Sequence, residues 1–260
     1  MALIVVVLVI LIIVCLALVL WGRAQQVKLS EMQKSRSVRT AFLKGLIREV
    51  RTHLHSVGGL SEIISKDDLY LSKSEKRHIT TQIKYNTSLI STLLDELSIL
   101  SDVHGGHQLK DERFSPNILC ERCIDANLPS VHEGVRLTLT RELTDSYSVE
   151  ADYHIIELII NKLVACSCQF TMKGDITLGC HLGESPNLLV FYVQDTGGTT
   201  IPEDRKASIF DWFDNPDENC EPTEFDLSVA QRLAEKVGGY LRYDELWTRG
   251  TRMEFILPVR

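Results

Sequence analysis

The chain has 260 residues, 44% of them hydrophobic and 24% charged, with a formal net charge of −7. That length holds one or two compact domains, and the composition is that of an ordinary globular protein with no large disordered region. The acidic balance gives nucleic-acid binding no support.

Met1 to Trp21 carry no charged side chain, and about 20 apolar residues suffice for a membrane-spanning helix. A cleaved signal peptide is the competing reading, but the basic n-region and small-residue cleavage site it requires are missing. A lipoprotein signal wants a small residue before Cys15, where Val14 stands. Trp21 sits where an interfacial aromatic belongs, and Arg23, Lys28, Lys34, Arg36 and Arg39 follow it. The positive-inside rule then puts the C-terminal side in the cytoplasm. The expectation is a single-pass anchor over residues 1–22 in the cell membrane, with almost nothing outside.

Residues 23–104 read as helical. Leu43, Val50, Val57 and Ile64 recur once per heptad, with Leu46 and Leu60 three residues after the first and third of them, which makes an a/d seam. His53 falls on a d position as a polar defect. The stripe stops at the polar run Ser65-Lys-Asp-Asp68. A second helix is expected to start near Ser72, with Glu75 completing a capping box. Its stripe runs Ile79, Ile83, Ile90, Leu93, Leu97 and Leu100, broken once by Asn86, which suits a register-setting polar residue. A lone hairpin cannot bury two such faces, so two hairpins are expected to pair as a four-helix bundle, a homodimer.

Gly105-Gly106 marks a hinge, and the pattern then alternates between strand and helix. Arg136–Glu142, Asp175–Leu182, Leu188–Gln194, Tyr240–Leu246 and Met253–Pro258 read as strands, Tyr153–Cys168 and Leu227–Val237 as helices. Gly238-Gly239 supplies a helix stop. The expected fold class is α+β: a transmembrane helix, an antiparallel hairpin, and an α/β sandwich over residues 110–260. The seven cysteines are scattered. Cys120-Glu-Arg-Cys123 forms a CxxC without the second pair of ligands that zinc needs, so a buried thiol pair is favoured over a metal or redox site. No metal site is expected.

Several stretches carry a resemblance. Arg48-Glu-Val-Arg-Thr-His-Leu54 follows the frame H-E-[IV]-R-T-P-L around the phosphoacceptor of sensor histidine kinases. "INKLVACSCQFT" from Ile160 resembles that family's N-box, near NNLLxNAxKFT. "VQDTGGTTIPED" from Val193 resembles its DxGxGI box, and "SIFDWF" from Ser208 its phenylalanine box. "LSVAQRLAEKVGGYL" from Leu227 and "GTRMEFILP" from Gly250 resemble its closing helix and strand. The resemblance implies a dimerisation and phosphotransfer-like domain over 23–104 and a histidine-kinase-type ATPase domain over 110–260, with ATP and magnesium as cofactors. It implies a place in two-component signal transduction.

The departures fall on the chemistry. Arg48 stands where the phosphoacceptor histidine belongs, and a permanently cationic guanidinium has no nucleophilic lone pair. Arg48 lies at heptad position f, facing away from the bundle core. His55, one heptad later and also at f, is the fallback acceptor, about 10 Å along the helix from the expected place. Glu49 keeps the adjacent acidic position. Thr52 keeps the residue that orients water for dephosphorylating a response regulator, although both also read as plain surface residues. Cys166 replaces the magnesium-binding asparagine, and Lys162 holds the earlier asparagine position. A thiol is a poor ligand for so hard a cation. Where the family has GTGLGL, Pro222-Thr-Glu-Phe-Asp-Leu227 brings two carboxylates expected to repel phosphates. Asp195, matching the adenine-reading aspartate, and Gly197 survive, with a one-residue insertion disturbing the next glycine. Expected, therefore, is a pseudokinase with weak or absent Mg-ATP binding, acting as a dimeric module for a response regulator or a partner kinase. The alternative is a divergent kinase using His55, or a regulator phosphatase using Thr52. A redox scaffold acting through Cys120 and Cys123 is the third reading.

Overall fold

The structure, a computed structural model, describes residues 21, 23, 25–26, 40, 42–66, 71–100, 109–197, 209–210 and 222–259, with 222–224 described by backbone alone. Residues 1–20 and 22 of the expected anchor over 1–22, Cys15 among them, the Gly105-Gly106 hinge, the insertion after Gly197 and most of the phenylalanine box lie outside them. Among the described residues no helix is long and apolar enough to cross a membrane. The chain divides into two units, Met1–Gly45 and Leu46–Arg260; in the first, the described residues are all helical.

The second unit opens with helix α1, residues 46–65, and helix α2, Lys73–Leu100. The expected capping box starts α2: Ser72 N donates to Glu75 Oε2 at 2.8 Å, and Glu75 N donates to Ser72 Oγ at 3.2 Å. Two of the chain's four orphan amides at that end are thereby satisfied reciprocally. The two polar defects in the apolar stripes meet each other, His53 Nδ1 lying 3.0 Å from Asn86 Oδ1. A hydrogen bond between the helices satisfies both groups and fixes one register, since a slip of one turn would leave each unpaired.

A two-stranded ribbon, β1 (Asp111–Phe114) with β3 (Val149–Asp152), and helix α3 (Pro116–Asn127) precede the main sheet. The sheet contains β2 (Val135–Arg141), β4 (Gly174–Leu182), β5 (Leu188–Asp195), β6 (Tyr240–Tyr243) and β7 (Arg252–Pro258), in the order β2-β4-β5-β7-β6. Only the β2–β4 pair is parallel. Its crossover contains helix α4, Tyr153–Phe170, capped by Asp152, whose Oδ1 accepts from Ile155 N at 3.0 Å. Helix α5, Pro222–Lys236, leads into β6. It closes in the Schellman pattern at the expected stop. Gly239 N bonds Ala234 O at 2.8 Å and Gly238 N bonds Glu235 O at 3.1 Å, with Gly238 at φ +76°.

Helices α3, α4 and α5 pack together on the sheet in the manner of a two-layer sandwich. The core lies between these layers, where Ile155, Ile159, Leu163, Phe191, Phe225 and Phe255 are fully or almost fully buried. Two expected bounds change by three residues or more. The strand read as Tyr240–Leu246 ends at Tyr243, because Asp244 Oδ1 accepts from Leu246 N at 3.0 Å and turns the chain. The helix read from Leu227 begins five residues earlier, at Pro222, a residue suited to a first helical turn.

Candidate functional site

Lys162 and Cys166 are four residues apart on α4 and share one face of it. Facing them is Asp226, in the second turn of α5. Lys162 Nζ lies 2.6 Å from Asp226 Oδ1 and 3.0 Å from Glu96 Oε1 of α2. The Lys162 side chain is 10% exposed and that of Glu96 0%. The Glu96 contact is an ion pair rather than an aligned hydrogen bond, so both Glu96 oxygens lack a hydrogen-bond partner among the described residues. Glu49, on α1, completes the group electrostatically, with a buried Oε1 in the same condition.

One ammonium thus faces three carboxyl groups, of which Glu96 is fully buried and Asp226 is 37% exposed. Burial raises the Glu96 pKa, with Lys162 opposing it. Burial likewise pushes Glu49 up to about 8, assisted by Asp226 and Glu96 and opposed by Lys162 and Arg48. Burial alone would lower the Lys162 pKa, but Asp226, Glu96 and Glu49 outweigh it and hold the ammonium above its ordinary value. Glu49 is therefore no simple surface residue, which corrects the bland expectation for it. The expected repulsion from Asp226 is corrected as well: Lys162 matches its charge, so two departures from the family pattern compensate each other. Glu224, the other carboxylate of that box, has no described side chain.

Cys166 is buried, and burial first, then Asp226 and Asp195, keep its thiol protonated. Among the described residues no three His, Cys, Asp or Glu side chains are grouped to hold a metal ion. A protonated thiol and a saturated lysine do not fit magnesium, which wants several oxygens in octahedral array.

The other end of α4 is different. Asp195 closes β5, is 4% exposed, and its Oδ1 accepts from Gly197 N at 3.1 Å and Thr251 N at 3.4 Å. Burial raises its pKa, against those two amides and Ser167. Thr171 Oγ1 is buried against Gly197 without a hydrogen-bond partner among the described residues. A buried acceptor near an orphaned hydroxyl fits the amino group and a ring nitrogen of a purine. Asp195 and Gly197 thus stand together, while Lys162, Asp226 and Glu96 form an ion cluster.

The α1 residues separate. Arg48, Thr52 and His55 are all exposed. Thr52 Oγ1 donates to Arg48 O at 3.1 Å, an ordinary back-bond within the helix. Cys120 and Cys123 are 0% exposed. A hydrogen bond with Cys180 and burial raise the first thiol, and burial, with Glu157, the second. Thiols without solvent access and held protonated are poor redox groups, so the packed-pair reading stands.

Residues 151–260 match the family model described as histidine kinase-, DNA gyrase B-, and HSP90-like ATPase. These residues are similar to that ATPase family. The chain is 26% identical over 245 residues to the autoinducer 2 sensor kinase/phosphatase LuxQ of Vibrio cholerae, covering 91% of this chain and 28% of that protein. It is 24% identical over 231 residues to the signal transduction histidine-protein kinase BarA of Escherichia coli, covering 86% of this chain and 25% of that one. The chain therefore spans about a quarter of the length of these relatives. Among solved structures, full-length ShkA in complex with AMPPNP aligns with TM-score 0.55 at 18% identity, over 83% of this chain and 45% of that chain. The histidine kinase AdeS of Acinetobacter baumannii aligns with TM-score 0.53 at 17% identity, over 82% and 98%. The domain is thus homologous to that of sensor kinases in two-component signalling, and the α+β fold with preceding helices is shared with them.

Proposed function

We propose that the chain is a signalling pseudokinase: a dimeric module, anchored at the cell membrane through residues 1–21 with its later domains cytoplasmic, that engages a response regulator or a partner histidine kinase. The observation that carries this reading is the Lys162–Asp226–Glu96 cluster at the end of the site where magnesium and the phosphates belong. An ammonium already held by the Asp226 carboxylate at 2.6 Å and the Glu96 carboxyl group at 3.0 Å offers little attraction to a polyphosphate, and the buried thiol of Cys166 adds no oxygen ligand. Arg48 removes the acceptor independently. The exposed Arg48 and Thr52 are then available for an acidic receiver surface, where a guanidinium suits a carboxylate or an acyl phosphate.

Calorimetry on the full chain tests the nucleotide half. Adenosine should bind at Asp195 with low affinity, and Mg-ATP should bind no better, with no gain from added magnesium. Micromolar Mg-ATP binding that tightens with magnesium would return the chain to the kinases. Radiolabelled ATP tests the other half: no acid-labile phosphohistidine should form. Label that disappears in His55→Ala would instead establish the shifted acceptor. Arg48→His by itself should restore nothing, because the metal-phosphate end stays closed.

A further inference from the structure

Helix α2 touches the ATPase-type domain through a line of polar groups. Tyr85 Oη hydrogen-bonds Ser130 Oγ, after α3. Asp95 Oδ2 lies 4.0 Å from His154 Nε2 at the start of α4. Glu96 meets Lys162 at 3.0 Å. Only the last pair is buried, and there the charges do not sum to zero if all ionise: Lys162 faces Asp226, Glu96 and Glu49. Asp226 holds the shorter contact, at 2.6 Å. With Arg48 beside Glu49 as a second cation, a closed, neutral cluster still needs one more proton, on Glu96 or Glu49, because an unpaired carboxylate in such a site is costly. An opened cluster, with α2 lifted, returns Glu96 and Glu49 to water, where both ionise readily.

From this geometry we infer that the cluster is a proton-dependent latch, which holds the helical hairpin down on the ATPase-type domain and releases it as the pH rises. The groups facing it are Arg48 and Glu49 from α1, Asp95 and Glu96 from α2, His154 and Lys162 from α4, and Asp226 from α5. The sign follows from linkage. Glu49 has its ordinary value of 4.5 when the cluster is open and about 8 when it is closed. The closed state binds the extra proton between those values, so closure is strongest at acid pH and weakens steadily up to about 8. Such a device couples the hairpin to the domain whether or not nucleotide binds.

Amide exchange on the full chain, corrected for the pH dependence of intrinsic exchange, reads the latch directly. Protection in residues 86–100 of α2 is expected to fall about tenfold or more between pH 5 and pH 9, while β4 and β5 keep theirs. Glu49→Gln/Glu96→Gln supplies neutral side chains of the same shape, and in it α2 should stay protected at pH 9. Three results would overturn the latch: wild-type protection independent of pH, a variant that loosens with the wild type, or loss in α2 and β5 together, which is global unfolding. Should the double variant fold poorly, Glu49→Gln alone still serves, since it must shrink the wild-type pH effect or refute the proposal.

Discussion

Lys162→Met is expected to lower the stability of the chain at pH 8 by about 3–5 kcal/mol, the cost of leaving the buried Glu96 carboxyl group without its cation. The geometry sets the size: Lys162 alone faces Glu96, whose side chain is 0% exposed, and it is also the near partner of Asp226. Methionine fills the aliphatic volume but leaves the negative charge. The loss should depend on pH in a definite direction. At pH 5 Glu96 and Glu49 of the variant take up protons cheaply, so most of the native stability should survive. At pH 8 they must be protonated against the solvent or stay charged and unpaired, and the full loss should appear. Urea midpoints for wild type and variant at the two pH values decide it. Lys162→Met/Glu96→Met should recover much of the loss, because replacing both members of a buried pair by apolar groups is far milder than removing one. If the single variant matched the wild type at pH 8, the ion cluster would have no energetic role.

How this cluster escaped the sequence shows what a motif comparison leaves out. Three of its four members were visible singly, Lys162 and Asp226 as departures from asparagine- and glycine-rich boxes and Glu49 as a retained acidic residue, while Glu96 was not visible at all. Opposite charges at two departing positions, 64 residues apart, are a usable signal, since a box that loses its ligands can still keep its site if the substitutes pair. His53 and Asn86 teach the same thing within the hairpin, where two separate polar defects turned out to be one hydrogen bond. The regular parts were legible because their causes are local. The Ser72–Glu75 capping box, the apolar face of α4 and the glycine stop after α5 each depend on neighbours within a few residues. Short polar strands were not legible: β1 is Asp-Glu-Arg-Phe and β3 is Val-Glu-Ala-Asp, and only their mutual pairing makes them strands. Helix α3 did leave a trace that went unread, Ser115 followed by Pro116, a usual pair for an N-cap and first turn.

Gly250→Ala is expected to cost about 2–5 kcal/mol, combining backbone strain with overpacking. Gly250 has φ +145°, a region in which L side chains rarely sit. A Cβ at that position would stand 2.1 Å from the carbonyl oxygen of Asp195, so the two segments cannot both remain in place. The crowding falls on the residue that ties β5 to β7, since Asp195 N donates to Thr251 O at 2.8 Å and Asp195 Oδ1 accepts from Thr251 N at 3.4 Å. Gly134 supplies the control. It also has positive φ, +85°, but an added Cβ would meet nothing within 4 Å. Gly134→Ala should therefore show the strain alone, about 1–2 kcal/mol. Denaturant unfolding of the two variants separates clash from strain, and adenosine affinity should fall only for Gly250→Ala, which displaces the Asp195 carboxylate. Equal losses for both would mean that the loop before β7 relaxes freely, and that the close approach of Gly250 to Asp195 does not hold the purine end of the site in shape.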